Sequence, residues 1–293
     1  MKNKLSLFAV PYVGWMSIFV VAPIIIMVVY AFSTAAGDFT LENFARMGTY
    51  TAVFTRSFKL AIIATLIALL IGYPVSYMLS KEGPQVQRIA MVLIMLPMWM
   101  NFLLRTYSWM SILENNGLLN QLFQQIGLID LYNQIAMHFA SDPAAYVPID
   151  HFQMIGTQGA VVLGMVYNYL PFMILPIYSV LVKLDHSLIE AARDLGASSV
   201  QVFRKVILPL SLPGVLSGIT MVFVPSVSTF AISRLLGGGT QMMLGDLIEQ
   251  QFLGGAYNPQ LGAAIALVMM AIVVVCMLVM NRFGAGEEQA VML

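Results

Sequence analysis

The feature that most limits what this chain can become is a series of long apolar runs with almost no charge inside them. Six of them cover residues 5–32, 58–80, 88–107, 158–182, 210–235 and 261–281. Each matches the roughly 20 helical residues that cross the hydrocarbon of a bilayer. Composition points the same way, with 59% hydrophobic and 10% charged residues, where soluble domains carry about 25% charge. These runs predict an all-α integral membrane protein of six transmembrane helices, forming one transmembrane domain over residues 1–293. Lys2 and Lys4 before the first run suggest a signal peptide, but nearly thirty apolar residues are too many for one. The first run therefore reads as an uncleaved span.

The stretches between the runs fall into two kinds. Lys81-Glu82-Gly83-Pro84 makes a tight turn, and residues 183–209 form a charged loop. Residues 108–157 are long, polar and rich in Asn, Gln and Asp, with a short surface helix expected over Leu118–Leu128. Gly237-Gly238-Gly239 opens another connection, which holds Asp246 and Glu249. With six spans both termini share one side. Lys2, Lys4, Lys81, Arg88, Lys183, Arg193, Arg204, Lys205 and Arg282 fall with them, against Arg46, Arg56, Lys59, Arg105 and Arg234 opposite. Cytoplasmic loops are enriched in Lys and Arg, so the termini and the loop at 183–209 are expected in the cytoplasm.

Several functions find no support in these residues. A net charge of zero gives no bulk attraction for nucleic acid. Cys276 is the lone cysteine, and His138, His151 and His186 are scattered, so no metal-ligand spacing emerges. No G-x-x-x-x-G-K-[ST] phosphate loop occurs, so energy for uphill transport would come from another chain. No nucleophile–base pair marks a membrane enzyme. The spans also lack Asp and Glu in their cores, which disfavours a proton- or sodium-coupled carrier or channel.

Residues 190–209 read EAARDLGASSVQVFRKVILP. Helix-forming residues precede Gly196, a natural place to end or bend a helix, and Pro209 and Pro213 restart the chain. Glu190 and Asp194 lie one turn apart with Arg193 beside them, a charged face for a partner. The pattern Glu190-Ala191-Ala192, three residues, Gly196, nine residues, Val206, one residue, Leu208-Pro209 resembles the cytoplasmic EAA loop of ABC importer permeases, with valine in place of isoleucine. That resemblance implies the type I importer permease fold, with a coupling helix around Glu190–Gly196 for an ATPase. It also implies the partners: two ATP-binding subunits, a second homologous permease and an extracytoplasmic solute-binding protein. ATP and Mg would sit on the ATPase, and no cofactor on this chain.

Further segments are similar to the spermidine/putrescine branch of that family. They are Asn101–Tyr107 with Asn116–Asn120, Tyr178–Ser198, and Gly237–Gly239 with Leu244–Ile248 and Gln251–Leu253. Phosphonate, opine and ferric-iron permeases share much of this pattern and stand as alternatives. Among candidate pathway residues, Asn101 and Arg105 are the hardest to bury in lipid. Arg105 either anchors the outer end of its span or pairs with an outer-loop carboxylate, or else it lines or gates the outer mouth. Tyr107 and Trp109, with Trp99, serve either an interfacial belt or a path whose aromatic faces attract ammonium groups. Asn168 and Tyr169 sit beside Pro171, where a kink frees carbonyls for a polar solute. Asp246 and Glu249 are the carboxylates available near the outer mouth. Gly214 and Gly218 form a small-xxx-small pair for close helix packing.

Overall fold

The computed structural model describes residues 11–139 and 146–291. Lys2, Lys4 and the expected first turn of span one lie outside the described residues. Long apolar segments became helices, as the need to satisfy every backbone polar group within lipid requires. In chain order these are α1 (Pro11–Ala31), α2 (Glu42–Arg46), α3 (Thr51–Ser80), α4 (Pro84–Trp99) and α5 (Phe102–Leu113). Next come α6 (Leu118–Gln125), α7 (Leu128–Phe139), α8 (Gln158–Leu181), α9 (His186–Asp194) and α10 (Ser199–Val202). The last four are α11 (Leu208–Ser228), α12 (Ala231–Leu236), α13 (Leu244–Leu253) and α14 (Pro259–Val291).

Two expected spans are broken. The third was expected as one helix over 88–107, but α4 stops at Trp99, and the segment from Phe102 leaves at 90° to it. Pro97 supplies no N–H to the ladder, and Met100 is extended. The Asn101 side chain then accepts from the N–H groups of Leu103 (2.8 Å) and Leu104 (3.4 Å), capping a new helix. Among the described residues, five stretches are thus continuous, long and apolar enough to cross a membrane, and six if the bent pair counts as one. The fifth expected span, 210–235, divides at Thr229, whose ψ of 141° takes the chain out of helix before α12. Here Gly245 lies so close that a Cβ would meet the carbonyl oxygens of Ser228 and Thr229 at 2.4 and 2.6 Å.

Other boundaries moved less. The second span was expected from residue 58, yet its helix starts at Thr51. The sixth runs past Arg282 instead of ending there, in a helix from Pro259 to Val291. The surface helix expected over Leu118–Leu128 is two helices, parted where Gly127 takes φ +72°.

The bundle is assembled on α8, which packs along α3 and α11 and also touches α5 and α12. Lipid tails are as apolar as side chains, so helices associate through close packing. Glycines provide it on every side of α8. A Cβ on Gly72 would lie 2.9 Å from Met173 Cγ, and one on Gly218 2.8 Å from Met173 Sδ. One on Gly214 would lie 2.8 Å from the Pro176 oxygen, and one on Gly164 2.5 Å from Leu236 Cδ1. Polar ties add direction: Ser76 Oγ donates to the Ile174 carbonyl at 3.0 Å, and the Tyr73 and Ser211 hydroxyls meet at 2.9 Å.

Gly214→Val should therefore destabilise the bundle by about 1–3 kcal/mol, the usual cost of overpacking. Gly48→Val, at a glycine with nothing within 4 Å of its Cβ position, is the control. Thermal unfolding in detergent should drop by several degrees for the first and stay within error for the second.

Candidate functional site

The first candidate site is the loop at one end of α8. Its helix begins four residues before Glu190, because Asp185 accepts from the Ser187 N–H at 2.9 Å and caps α9. Those hydrogen bonds hold the exposed Asp185 carboxyl below its usual range. The helix ends in a Schellman arrangement: the Gly196 N–H donates to the Arg193 oxygen (2.8 Å), and the Ala197 N–H to the Ala192 oxygen (3.1 Å). That closure requires the left-handed φ of +81° that Gly196 adopts. Ser198 and Gln201 then cap α10 reciprocally, and a wide turn over Phe203–Ile207 joins it to α11. Leu208 and Pro209 form the first turn of α11, both exposed.

This element has two faces. Ile189 and Ala192 pack inward on a core that includes Leu181, Val202 and Ile207. Glu190, Ala191, Arg193 and Asp194 are exposed, as are Leu195 (89%) and Val200 (66%). Leu195 and Val200 were not singled out by sequence. Their signal was apolar character within a charged loop.

The second candidate site lies where the two helix breaks approach each other. Here α5 and α12 pack together and against α8. Asn101 is an exposed helix cap, so its position at a break, rather than inside a span, is what accommodates it. Arg105 is buried, at 8% exposure, instead of reaching out to the interface. Its Nε and Nη1 have no acceptor, and its Cζ stands 6.0 Å from the Tyr167 ring centroid. Trp109 meets Tyr167 edge-on at 5.3 Å, while Tyr107 is exposed and Trp99 more so. The Tyr169 phenol faces the Thr229 side chain at the second break and lies within Coulomb range of Arg105. Asn168 is buried, with Nδ2 donating to the Gly164 carbonyl at 2.9 Å and Oδ1 unpartnered. Pro171 supplies no N–H to the Tyr167 carbonyl one turn back.

Tyr167 and Thr229 were missed by sequence reading. Tyr167 offered one cue, an aromatic directly before Asn168 in a polar interruption of span four.

The two carboxylates of α13 are committed to internal contacts. Asp246 is buried, and its Oδ2 accepts from the Met243 N–H at 2.9 Å. Burial pushes its carboxyl up, against the lowering effect of the Ser233 hydroxyl and the Met243 N–H. Glu249 pairs with Arg234, both guanidinium NH groups reaching its two oxygens. The Leu244 N–H donates to Ser57 Oγ at 2.8 Å, tying α13 to α3. Among the described residues no group of three potential metal ligands occurs.

Together these elements define a polytopic helical permease, with a capped, glycine-closed helical loop at one end of its bundle and a polar, broken-helix region within it. The chain matches the family described as binding-protein-dependent transport system inner membrane component over residues 65–286 and belongs to it. It is thus an inner-membrane, multi-pass permease subunit of an ABC importer. It is 36% identical over 252 residues to the spermidine/putrescine transport system permease protein PotB of Salmonella typhimurium (strain SL1344), covering 83% of this chain and 81% of that one. It is 35% identical over 281 residues to PotB of Escherichia coli (strain K12), covering 93% and 95%. Among solved structures, a permease chain of a bacterial ABC transporter for the acidic polysaccharide alginate superposes with TM-score 0.75 at 16% identity, over 96% of each chain. The MetNI methionine ABC transporter gives TM-score 0.57 at 18% identity, over 82% of this chain and 96% of that one. The fold is that of type I importer permeases.

Asp246→Asn keeps an acceptor for Met243 and removes a buried charge. Its melting temperature at neutral pH should equal or exceed that of the wild type, whereas Asp246→Ala should lose about 1 kcal/mol with the cap. Because the native pKa is raised, the wild type should lose stability as pH climbs from the ordinary carboxylate range through that higher value. Over that interval the folded carboxyl holds a proton that the unfolded chain has released. Melting curves between pH 4 and 7 should show this slope in the wild type and not in Asp246→Asn.

Proposed function

We propose that this permease imports a polyamine of the spermidine/putrescine class by ATP-driven alternating access. The observation that carries the reading is the 35% identity to PotB along 93% of the chain, both helix breaks and the coupling loop included. In this reading the chain pairs with a second homologous permease, two ATP-binding subunits and an extracytoplasmic solute-binding protein. The termini and the loop at 183–209 face the cytoplasm, in keeping with the basic residues gathered there. ATP and Mg belong to the partner ATPases, and this chain holds no cofactor.

Coupling starts at α9. Glu190, Ala191, Arg193 and Asp194 enter a cleft of the ATPase, with Leu195 adding apolar contact, while Ile189 and Ala192 hold the helix to the bundle. Gly196 and its Schellman closure keep α9 and α10 at a fixed angle, and Leu208-Pro209 pass the motion to α11. ATPase closure then tilts helices as rigid bodies. At about 1.5 Å per residue α8 is roughly 36 Å long, and it carries that tilt to the region of the breaks. There Arg105, Tyr107, Trp109, Asn168 and Tyr169 border the path beyond the Asn101 cap. Aromatic faces and carbonyls freed at the prolines hold a cation without a carboxylate from this chain. Asp246 and Glu249 brace the outer loop, and counter-charge for the solute comes from the second permease. The binding protein sets most of the specificity, so the site here is weak.

The test is reconstitution of the whole complex in liposomes, with uptake of labelled spermidine and putrescine measured against an opine, a phosphonate and ferric iron. Polyamine uptake that requires ATP, the binding protein and both permeases is the expected result. In the same system Glu190→Lys should abolish solute-stimulated ATP hydrolysis while the chain still inserts and assembles its partner permease. Normal stimulation in that variant would remove α9 from the coupling route.

A further inference from the structure

An arginine as buried as Arg105 is ordinarily paired, because a desolvated charge without a partner is strongly unfavourable. Here Nε and Nη1 lack any acceptor, and no described carboxylate answers them. Glu249 is held by Arg234, and Asp246 turns its oxygen to the Met243 N–H. What faces the guanidinium is aromatic. Tyr167 presents its ring at 6.0 Å, Trp109 props that ring edge-on, and Tyr169 stands nearby. An aromatic face attracts any cation placed over it. The surface that receives this guanidinium would equally receive a primary ammonium group.

We propose that Arg105 is a tethered cation occupying, in the resting state, the aromatic subsite that a cationic solute must enter, so that the solute's ammonium group has to displace it. The proposal rests on the polyamine reading above and adds a self-occupied gate to it. In the resting state the arginine keeps its aromatic contact but leaves two N–H groups unbonded. Turned out toward solvent, it would lose the first and satisfy the second. These terms oppose each other, so a solute that competes for the aromatic face shifts the population between the two positions. The location suits such a device. Arg105 sits on α5, just beyond the 90° bend, and α5 packs on α12 beyond the second break. Displacement therefore acts on two short helices while the long helices around α8 keep their packing. A fixed positive charge in the path also opposes entry of small free cations.

The experiment uses the complete importer in liposomes, its binding protein included at a fixed concentration, and reads ATP hydrolysis as spermidine is raised. Arg105→Gln should raise hydrolysis without solute and lower the half-maximal spermidine concentration by about tenfold, the scale of a single cation–π contact. Tyr167→Leu removes the face that both cations share. It should likewise raise hydrolysis without solute, but raise the half-maximal concentration. Arg105→Lys should stay near the wild type. A half-maximal concentration that moves in the same direction in Arg105→Gln and Tyr167→Leu, or in neither, overturns the proposal. If Arg105→Gln does not assemble, Tyr167→Leu decides: a higher half-maximal concentration supports the gate, and an unchanged or lower one overturns it. Absence of polyamine uptake by the complete wild-type system overturns the solute reading and the gate with it. Uptake by the wild type with unshifted variants overturns the gate alone.

Discussion

Inside a bilayer every backbone N–H and C=O must find a partner within the protein, and the rest of this structure depends on how that demand is met. Most of the chain meets it with uninterrupted helix. At Met100–Asn101 and at Thr229–Phe230 it does not, and each break is made tolerable by a local device. The Asn101 side chain takes up two free N–H groups. At Thr229 a glycine backbone from α13 covers the carbonyls at the end of α11. Irregular backbone at this depth survives only where protein or a water-filled path surrounds it. Both breaks border the region of α5, α8 and α12 where the polar and aromatic side chains gather.

Close packing of small residues makes α8 a stiff member connecting two functions. Gly72, Gly164, Gly214 and Gly218 bring neighbouring backbones against Met173, Pro176 and Leu236, so a tilt of one helix cannot be absorbed by soft side chains. At the coupling end, Ile189 and Ala192 seat α9 on the same bundle. The charged face of α9 is thus joined to the helix breaks by a contiguous, well-packed route. The breaks in turn are the points where a limited change in backbone angles can open or close a path.

The helical loop at 183–209 was largely legible in the sequence because its determinants are local. A cap, a run of helix formers, a glycine in the left-handed region and a proline restart all act within a few residues of one another. Even so, the helix start was read four residues late, at Glu190 rather than His186, because the Asp185 cap was overlooked. The polar site was legible only as a list of residue types. For Arg105 the sequence offered an anchor, a partner for an outer-loop carboxylate, or a residue lining or gating the mouth. The α13 carboxylates are engaged elsewhere, and burial against Tyr167, on a helix more than fifty residues away in sequence, was not among these readings. Asp246 and Glu249 were read as free carboxylates. The bond of Asp246 to Met243 is a local cap of α13, whereas Glu249 meets Arg234 only because α12 and α13 fold back on each other.

The sequence by itself determined that this chain is built of long apolar helices, roughly where they lie, and where the charged loop with its helix–glycine turn falls between them. Hydropathy and short-range backbone chemistry are sufficient for those conclusions. The tertiary structure alone decided which polar groups satisfy one another and which are left unpaired. That outcome turns on contacts between residues far apart in the chain, such as Leu244 with Ser57 and Arg234 with Glu249. It left Arg105 desolvated beside aromatic rings, and no local pattern of residues encodes that placement.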